Sequence, residues 1–297
     1  MRIYKIRLVI LVVLLLGATL SLYAVFREER SGILTVAFLN VGQGDAIFID
    51  APNGNQMLID GGPGKAVLRE LSKVMPFYDR SIDVVIATHA DQDHVGGLPD
   101  VLKKYKIGLF LEPGVPGESS SYNELEKIVA EKSQGLTLGN LEGETLKKIL
   151  ARRGMEIDLG DGAILQVIFP DRDPAGMDTN MASVVAKMIY GENEFLLTGD
   201  SPIAIENYLV SLESQGQTLA SDVLKVGHHG SKTSTSQQFV SVVSPEYAII
   251  SVGKDNRYGH PNQEILDTLN NFGAKILRTD QSGRIVFKSD GLNLEVK

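Results

Sequence analysis

The chain has 297 residues, 43% hydrophobic and 22% charged, enough for one large domain or two small ones around a buried core. It has a formal net charge of −8 and no cysteine. Disulfides and thiolate metal ligands are therefore excluded, and the acidic balance argues against a protein that grips long nucleic acid along a basic stripe.

The first thirty residues read differently from the rest. "MRIYKIR" is basic, "LVILVVLLLGATLSLYAVF" (residues 8–26) carries no charge, and "REER" follows. As a helix this apolar run rises about 28 Å, close to the hydrocarbon thickness of a bilayer. The flanking charges favour an N-in, C-out orientation. A cleaved signal peptide is the competing reading, but "LSLYAVF" offers only a poor small-x-small site, with Leu22 and Ala24 at its key places. A buried soluble helix is the third. Either membrane reading puts the remainder outside the cytoplasm. Residues 1–30 are thus expected to be an anchor or signal segment, and residues 31–297 the catalytic domain. The first part holds five basic side chains and two acidic ones, net +3, so residues 31–297 carry −11.

Along the chain, "ILTVAFLNVGQGDAIFID" predicts a strand, a glycine turn and a second strand. "NGNQMLIDGG" predicts a turn and a short strand ending at Asp60, and "AVLRELSKVM" an amphipathic helix. "IDVVIATH" is a strand ending at His89, with a helix from "GGLPDVLKKY". Residues 112–160 are less regular, and "NELEKIVAEKSQG" and "ETLKKILARRG" read as helices with solvated charged faces. "ILQVIFP" is a strand, and "ASVVAKMIYGENEFLLTGD" is a strand, a turn and a strand ending at Asp200. A helix in "IAIENYLVSLES" precedes "DVLKVGHHG", a strand ending at His228 and His229. "EYAIISVG" is a strand, "NQEILDTLNNFG" a helix, and the tail returns to strands. Polar clusters thus fall at strand ends, where active sites commonly form.

All five histidines lie in three short stretches: His89 with His94, His228 with His229, and His260. Together with Asp60, Asp91, Asp93 and Asp200 they form a candidate metal constellation. Spacing lets one short loop face two ions, with His89 and Asp91 serving one and Asp93 and His94 the other. Asp200 suits a bridge, because a carboxylate has two oxygens. "VGQGDA" is no nucleotide fingerprint, lacking the third glycine and the following helix. Its Asp45 either bonds near the site or fixes a turn. Lys225, on a predicted strand, has no assigned role. Gly96 and Gly97 are expected to let the backbone turn out of the metal loop.

"THADQDHVGG", "LIDGG", "FLLTGD" and "LKVGHHGSKTS" resemble the motifs of the metallo-β-lactamase superfamily. "LNVGQGDAIFI" and "NRYGHPNQEIL" are similar to its ComEC-like branch, typified by the extracytoplasmic domain of the competence DNA-uptake channel protein. The likeness runs from about residue 34 to 290. With one apolar span here, the chain resembles the hydrolase domain on a single anchor. The resemblance implies an α/β fold, a four-layer αββα sandwich, and two divalent metal ions, Zn²⁺ or Mn²⁺. It implies His89, Asp91, Asp93, His94, Asp200 and one of His228 and His229, with His229 favoured, as ligands. Asp60 becomes an orienting residue more than a ligand.

Two departures matter. Asp91 stands at the second His position of the usual HxHxDH loop, and Asn180 where a further His precedes the bridging Asp. Both enrich one half of the site in oxygen, shifting preference from Zn²⁺ toward Mn²⁺ or Mg²⁺. Both are typical of the ComEC-like branch and make β-lactam hydrolysis an unfavoured activity. The resemblance thus implies an extracytoplasmic phosphodiesterase or nuclease, with water activated between two ions. Candidate catalytic residues are Asp93, His228, His260 and Lys232, and Ser231 and Lys232 could steady an anionic oxygen. Single-stranded DNA is one candidate substrate, weakened by the acidic domain and the absence of tryptophan. Alternatives are a phosphorylcholine-type esterase and a noncatalytic metal-stabilised binding module. No protein partner is predictable; the membrane is met through the N-terminal helix.

Overall fold

The computed structural model describes residues 2–30, 32–134, 145–216 and 218–297, with the side chains of Arg2, residues 24–30 and Gln215 outside the description. Alternating and continuous apolar runs form the first strands: β1 (Leu34–Phe38), β2 (Ile47–Asp50), β3 (Gln56–Ile59), β4 (Ser81–Ile86), β5 (Lys106–Glu112) and β6 (Lys147–Leu150). A second sheet holds β7 (Glu156–Gly160), β8 (Ala163–Phe169), β9 (Val185–Tyr190), β10 (Asn193–Leu197), β11 (Val223–Lys225), β12 (Tyr247–Ile250) and β13 (Lys275–Arg278). Then β14 (Ile285–Ser289) and β15 (Leu294–Val296) return to the first sheet, whose order is β15-β14-β1-β2-β3-β4-β5-β6.

The helices are α1 (Arg2–Arg30), α2 (Ala66–Val74), α3 (Gln92–Val95), α4 (Leu98–Lys104), α5 (Ser120–Ser133), α6 (Ile203–Leu212), α7 (Gln237–Val243) and α8 (Gln263–Asn271). Three apolar cores stack between four layers. One lies between the sheets, with Phe38, Phe195 and Phe287 at its centre. The second packs α2, α4 and α5 on the first sheet, and the third packs α6, α7 and α8 on the second. This is the αββα sandwich expected from the motifs.

β3 to β6 run parallel, as do β10 to β13, so two sets of carboxyl ends meet along one edge. Asp60 follows β3, His89 follows β4, Asp200 follows β10 and the His228–His229 pair follows β11. The topology therefore gathers residues as far as 169 positions apart, Asp60 and His229, into one place.

Three expectations need correction. "ETLKKILARRG" is not helical where it is described: Lys147–Leu150 pairs parallel with Leu109–Glu112 as an edge strand. Its two lysines, Lys147 and Lys148, charge the edge of the sheet, as charged edge strands do, and local helix propensity yields to that pairing. α5 is not merely a solvated face, because it buries Tyr122, Leu125, Ile128 and Val129. Gly96 and Gly97 have ordinary helical φ values of −58 and −92. They are required by close approach instead: a Cβ on Gly97 would lie 2.2 Å from the Gly61 carbonyl oxygen. Gly97→Ala is therefore expected to cost about 1–3 kcal/mol through overpacking against backbone, read as a lowered urea midpoint. An unchanged midpoint contradicts it.

α1 contains an apolar span, Ile3–Tyr23, of mean hydropathy 2.3, and none of it is buried. That excludes the buried-helix reading and leaves a segment long and apolar enough to cross a bilayer.

Candidate metal centre

The centre is built on short loops held by backbone bonds. The Gly61 amide bonds the His94 carbonyl, and the Asp45 amide bonds that of Asp93. Gly44, at φ +141, lets this contact form, since a Cβ there would meet Asp93 O at 2.1 Å. On the other sheet, His228 and His229 both occupy the left-handed region, at φ 47 and 55. For non-glycine residues that costs on the order of 1 kcal/mol or more each, and such strain concentrates at functional sites. The buried Glu206 carboxylate accepts the Thr235 and Ser236 amides, which pins the loop beyond the pair.

His89, His94 and His229 each have Nδ1 engaged and Nε2 turned inward. Asp60 accepts from His94 Nδ1 at 2.7 Å, from the Thr88 amide at 2.8 Å and from Thr88 Oγ1 at 2.7 Å. Thr88 Oγ1 lies 3.0 Å from His89 Nδ1, and His229 Nδ1 donates to the Ser251 carbonyl at 2.8 Å. The Nε2 atoms of His89, His94 and His229, and Oδ1 of Asp200, are buried without hydrogen-bond partners among the described residues. Buried polar atoms left so are costly unless something else satisfies them. Nδ1 bonding with a free Nε2 is the arrangement of a metal-ligating histidine.

These inward atoms converge. Asp93, His94, Asp200 and His229 each offer an atom within 4.8 Å of the others. Asp200 Oδ1 is 3.3 Å from His94 Nε2, and Oδ2 is 3.5 Å from His229 Nε2 and 4.0 Å from His89 Nε2. Asp91 Oδ2 lies 3.8 Å from His89 Nε2, while its Oδ1 accepts from Thr179. Asn180 follows Thr179, its Oδ1 buried with no hydrogen-bond partner among the described residues. Nitrogen and carboxylate donors in this set fit divalent ions, with the His89–Asp91 half richer in oxygen.

The remaining sequence candidates divide. Asp45 is buried at the centre rather than a mere turn residue, and His228 Nε2 is 3.7 Å from Asp200 Oδ2. His228, His229, Asp91, Asp93, Asp200 and His260 line a cavity of about 220 Å³ together with Gln43 and Tyr258. Lys232 is exposed and is not part of that lining, and Ser231 bonds Thr233 instead. Three residues were missed. Gln43 lies in the quoted glycine loop, and Tyr258, two positions before His260, stacks on its ring at 5.7 Å. Lys225 is the largest omission: its ammonium is fully buried, pairs with Asp45, bonds the Gly199 carbonyl at 2.9 Å and lies 3.5 Å from Asp200 Oδ1. A lysine inside a strand read as apolar was its only signal.

The electrostatics follow from this crowding. Burial, then the neighbouring His94, push His89 down to about 3, so it stays neutral and ready to ligate. Burial opposes protonation of His94 and His229 too, but carboxylates outweigh it. Asp200 and Asp60 hold His94 well above its ordinary range, and Asp200, Asp45 and Asp93 push His229 up to about 9. Burial would raise Asp200, yet His229, His94 and Lys225 hold it well below the usual carboxylate range.

Ligation needs bare nitrogens, so ion binding at neutral pH must expel protons from His94 and His229. The apparent Kd for Mn²⁺ is expected to fall about 10- to 100-fold per pH unit below about pH 9, one factor of ten per proton. Calorimetry in buffers of different ionisation enthalpy reads the released protons. Linkage has the matching sign. His229 stabilises the ion-free fold fully below its unfolded pKa, and that contribution is lost as pH climbs through about 9. Stabilisation by the ion therefore grows over this window, and a pH-independent affinity contradicts the ligand set.

Residues 39–254 match the metallo-beta-lactamase superfamily. The chain belongs to that superfamily, whose metal-dependent hydrolase fold it shares. It is 33% identical over 271 residues to ComE operon protein 3 of Bacillus subtilis (strain 168), covering 85% of this chain and 33% of that protein. It is 29% identical over 279 residues to competence protein ComA of Neisseria gonorrhoeae, covering 93% and 35%. These are ComEC-like competence proteins, and the chain spans about a third of their length. Among solved structures it is similar to a variant of CmlA beta-hydroxylase, with TM-score 0.51 and 15% identity over 85% of this chain and 53% of that one, a likeness of fold alone.

Proposed function

We propose that the protein is a membrane-anchored, extracytoplasmic, metal-dependent phosphodiesterase of ComEC-like type. The observation that carries this reading is the convergence of three orphaned Nε2 atoms on Asp200, which lines a cavity together with His228, His229 and His260. Asp93, His94, His229 and Asp200 would hold one divalent ion, and His89, Asp91 and Asp200 a second. Such ions supply Lewis acidity to a phosphoryl oxygen and a lowered pKa to water. The chain's own part is orientation. Asp60 and Ser251 aim the imidazoles, Lys225 holds Asp200 from behind, and the loops keep the cavity open on one side. Burial, with His228 and His229 nearby, lowers the pKa of His260. It is therefore neutral at pH 7, which suits hydrogen bonding to a phosphate oxygen better than protonation of a leaving group.

One observation favours a small phosphoester over DNA. The neighbouring cavity of about 470 Å³ shares Asp91 and is lined by Glu118, Asp178, Met177 and Val115, with no lysine or arginine. That wall repels a polyanion and suits a cationic alcohol such as choline. The test is a panel on the Mn²⁺- or Zn²⁺-loaded protein: bis-p-nitrophenyl phosphate, p-nitrophenyl phosphorylcholine, single-stranded DNA, nitrocefin and a lactone. Turnover of the phosphodiesters is the expected result. Turnover of nitrocefin or the lactone alone overturns the reading, and metal binding without any turnover favours a binding module.

A further inference from the structure

We propose that the sheet edge opposite the metal centre is a bilayer-contact surface, in which Phe77, Tyr78 and Leu292 enter the headgroup region beside α1. The proposal rests on the reading of α1 as a membrane anchor.

The register places these residues. β1 starts beside the end of β14, with Leu34 opposite Ser289, so the β14–β15 turn carrying Leu292 lies where the chain enters the sheet. Thr35 faces Asp50, and Asp50 faces Gln56, whose amide and side chain bond Asp83 and Asp79. The loop carrying Phe77 and Tyr78 therefore sits on the same edge. The second sheet is stitched to it, since Tyr190 Oη donates to the Gly32 carbonyl and the Glu192 amide to the Gly291 carbonyl.

Only three residues separate Arg30, the end of α1, from Leu34. Fully extended, that connection reaches about 14 Å. The apolar span ends at Tyr23, and the seven helical residues beyond it add about 10 Å, so this edge lies within about 25 Å of the point where the helix leaves the bilayer.

Exposure singles out the contact residues. Outside α1, the most exposed large hydrophobics among the described residues are Phe77 at 86%, Leu292 at 68% and Tyr78 at 61%. Single exposed apolar side chains need no explanation, but the top three all fall on the anchor's edge. The Phe77 and Tyr78 rings meet edge to face at 5.4 Å, and aromatic rings favour the membrane interface. Asp79, Glu192 and Asp290 share the edge with Arg80, Lys106 and Lys288, so its charge is mixed and the contact rests on the apolar side chains.

One consequence concerns substrate. The six residues of β4 span about 20 Å from this edge to His89. The metal centre then opens away from the bilayer and meets substrate from the aqueous phase.

The chain has no cysteine, so single labels can be placed on the full protein. Phe77→Cys, Leu292→Cys and Lys254→Cys, each spin-labelled, would be reconstituted into phosphatidylcholine vesicles and challenged with water-soluble and headgroup-bound relaxation agents. Labels at 77 and 292 are expected to be several-fold less accessible to the water-soluble agent than the label at 254, and relaxed by the headgroup agent. A chain that floats with vesicles but shows equal accessibility at all three positions overturns the proposal and leaves the anchor standing. A chain that does not float overturns both.

Discussion

Asp200→Asn is expected to abolish turnover, by on the order of a thousandfold or more, and to strip at least one ion per chain. Asp200 lies within 4.0 Å of inward nitrogens on His89, His94, His228 and His229, and 3.5 Å from the Lys225 ammonium. Its two oxygens thus face both halves of the centre. The amide keeps the shape but removes the charge, so the substitution tests the carboxylate rather than the packing. His94 and His229 lose the largest influence that raises them, and their proton affinity falls toward the ordinary value. Metal content by mass spectrometry and turnover of bis-p-nitrophenyl phosphate read the two effects separately. Full metal content with near-normal turnover defeats the bridging assignment.

The second large effect is expected at Lys225. Lys225→Met keeps the stem and removes an ammonium that is buried against Asp45 and Asp200. Breaking one partner of a buried ion pair costs about 3–5 kcal/mol, because the other charge stays behind without compensation. Asp45 is that charge, held low in pKa by Lys225 and the histidines against its own burial. The double variant Asp45→Asn/Lys225→Met is therefore expected to be more stable than the sum of the single losses. Additive losses in urea unfolding would mean that the pair is not coupled. Turnover should fall with kcat more than with KM, since Lys225 is buried behind Asp200 and outside the cavity lining.

Lys225 also marks the limit of what could be read in advance. His89, Asp91, Asp93, His94 and Asp200 stood out as candidate ligands because metal chemistry restricts donors to a few residue types, while the preference for His229 came from the resemblance. The strands were legible for a similar reason: burial on one or both faces writes itself into apolar periodicity. Lys225 carries no such pattern. Its role exists only because β10 and β11 run parallel and bring Gly199 and Asp200 to its ammonium, while the packing of the two sheets brings Asp45 from the β1–β2 loop. Gly97 is similar, needed by a carbonyl 36 positions earlier rather than by its own dihedral angles.

The strand at Lys147–Leu150 shows the converse. Four residues of Lys, Lys, Ile and Leu suit a helix as well as a strand, and pairing with β5 decided between them. Local periodicity determined the recurring strands and helices and the apolar span, residue chemistry singled out the candidate metal donors, and the motifs' resemblance implied the αββα class. Tertiary structure alone decided which nitrogen of His89, His94 and His229 faces inward, which cation backs Asp200, and which sheet edge follows the end of α1. Those properties depend on contacts between residues far apart in the chain, and no local pattern encodes them.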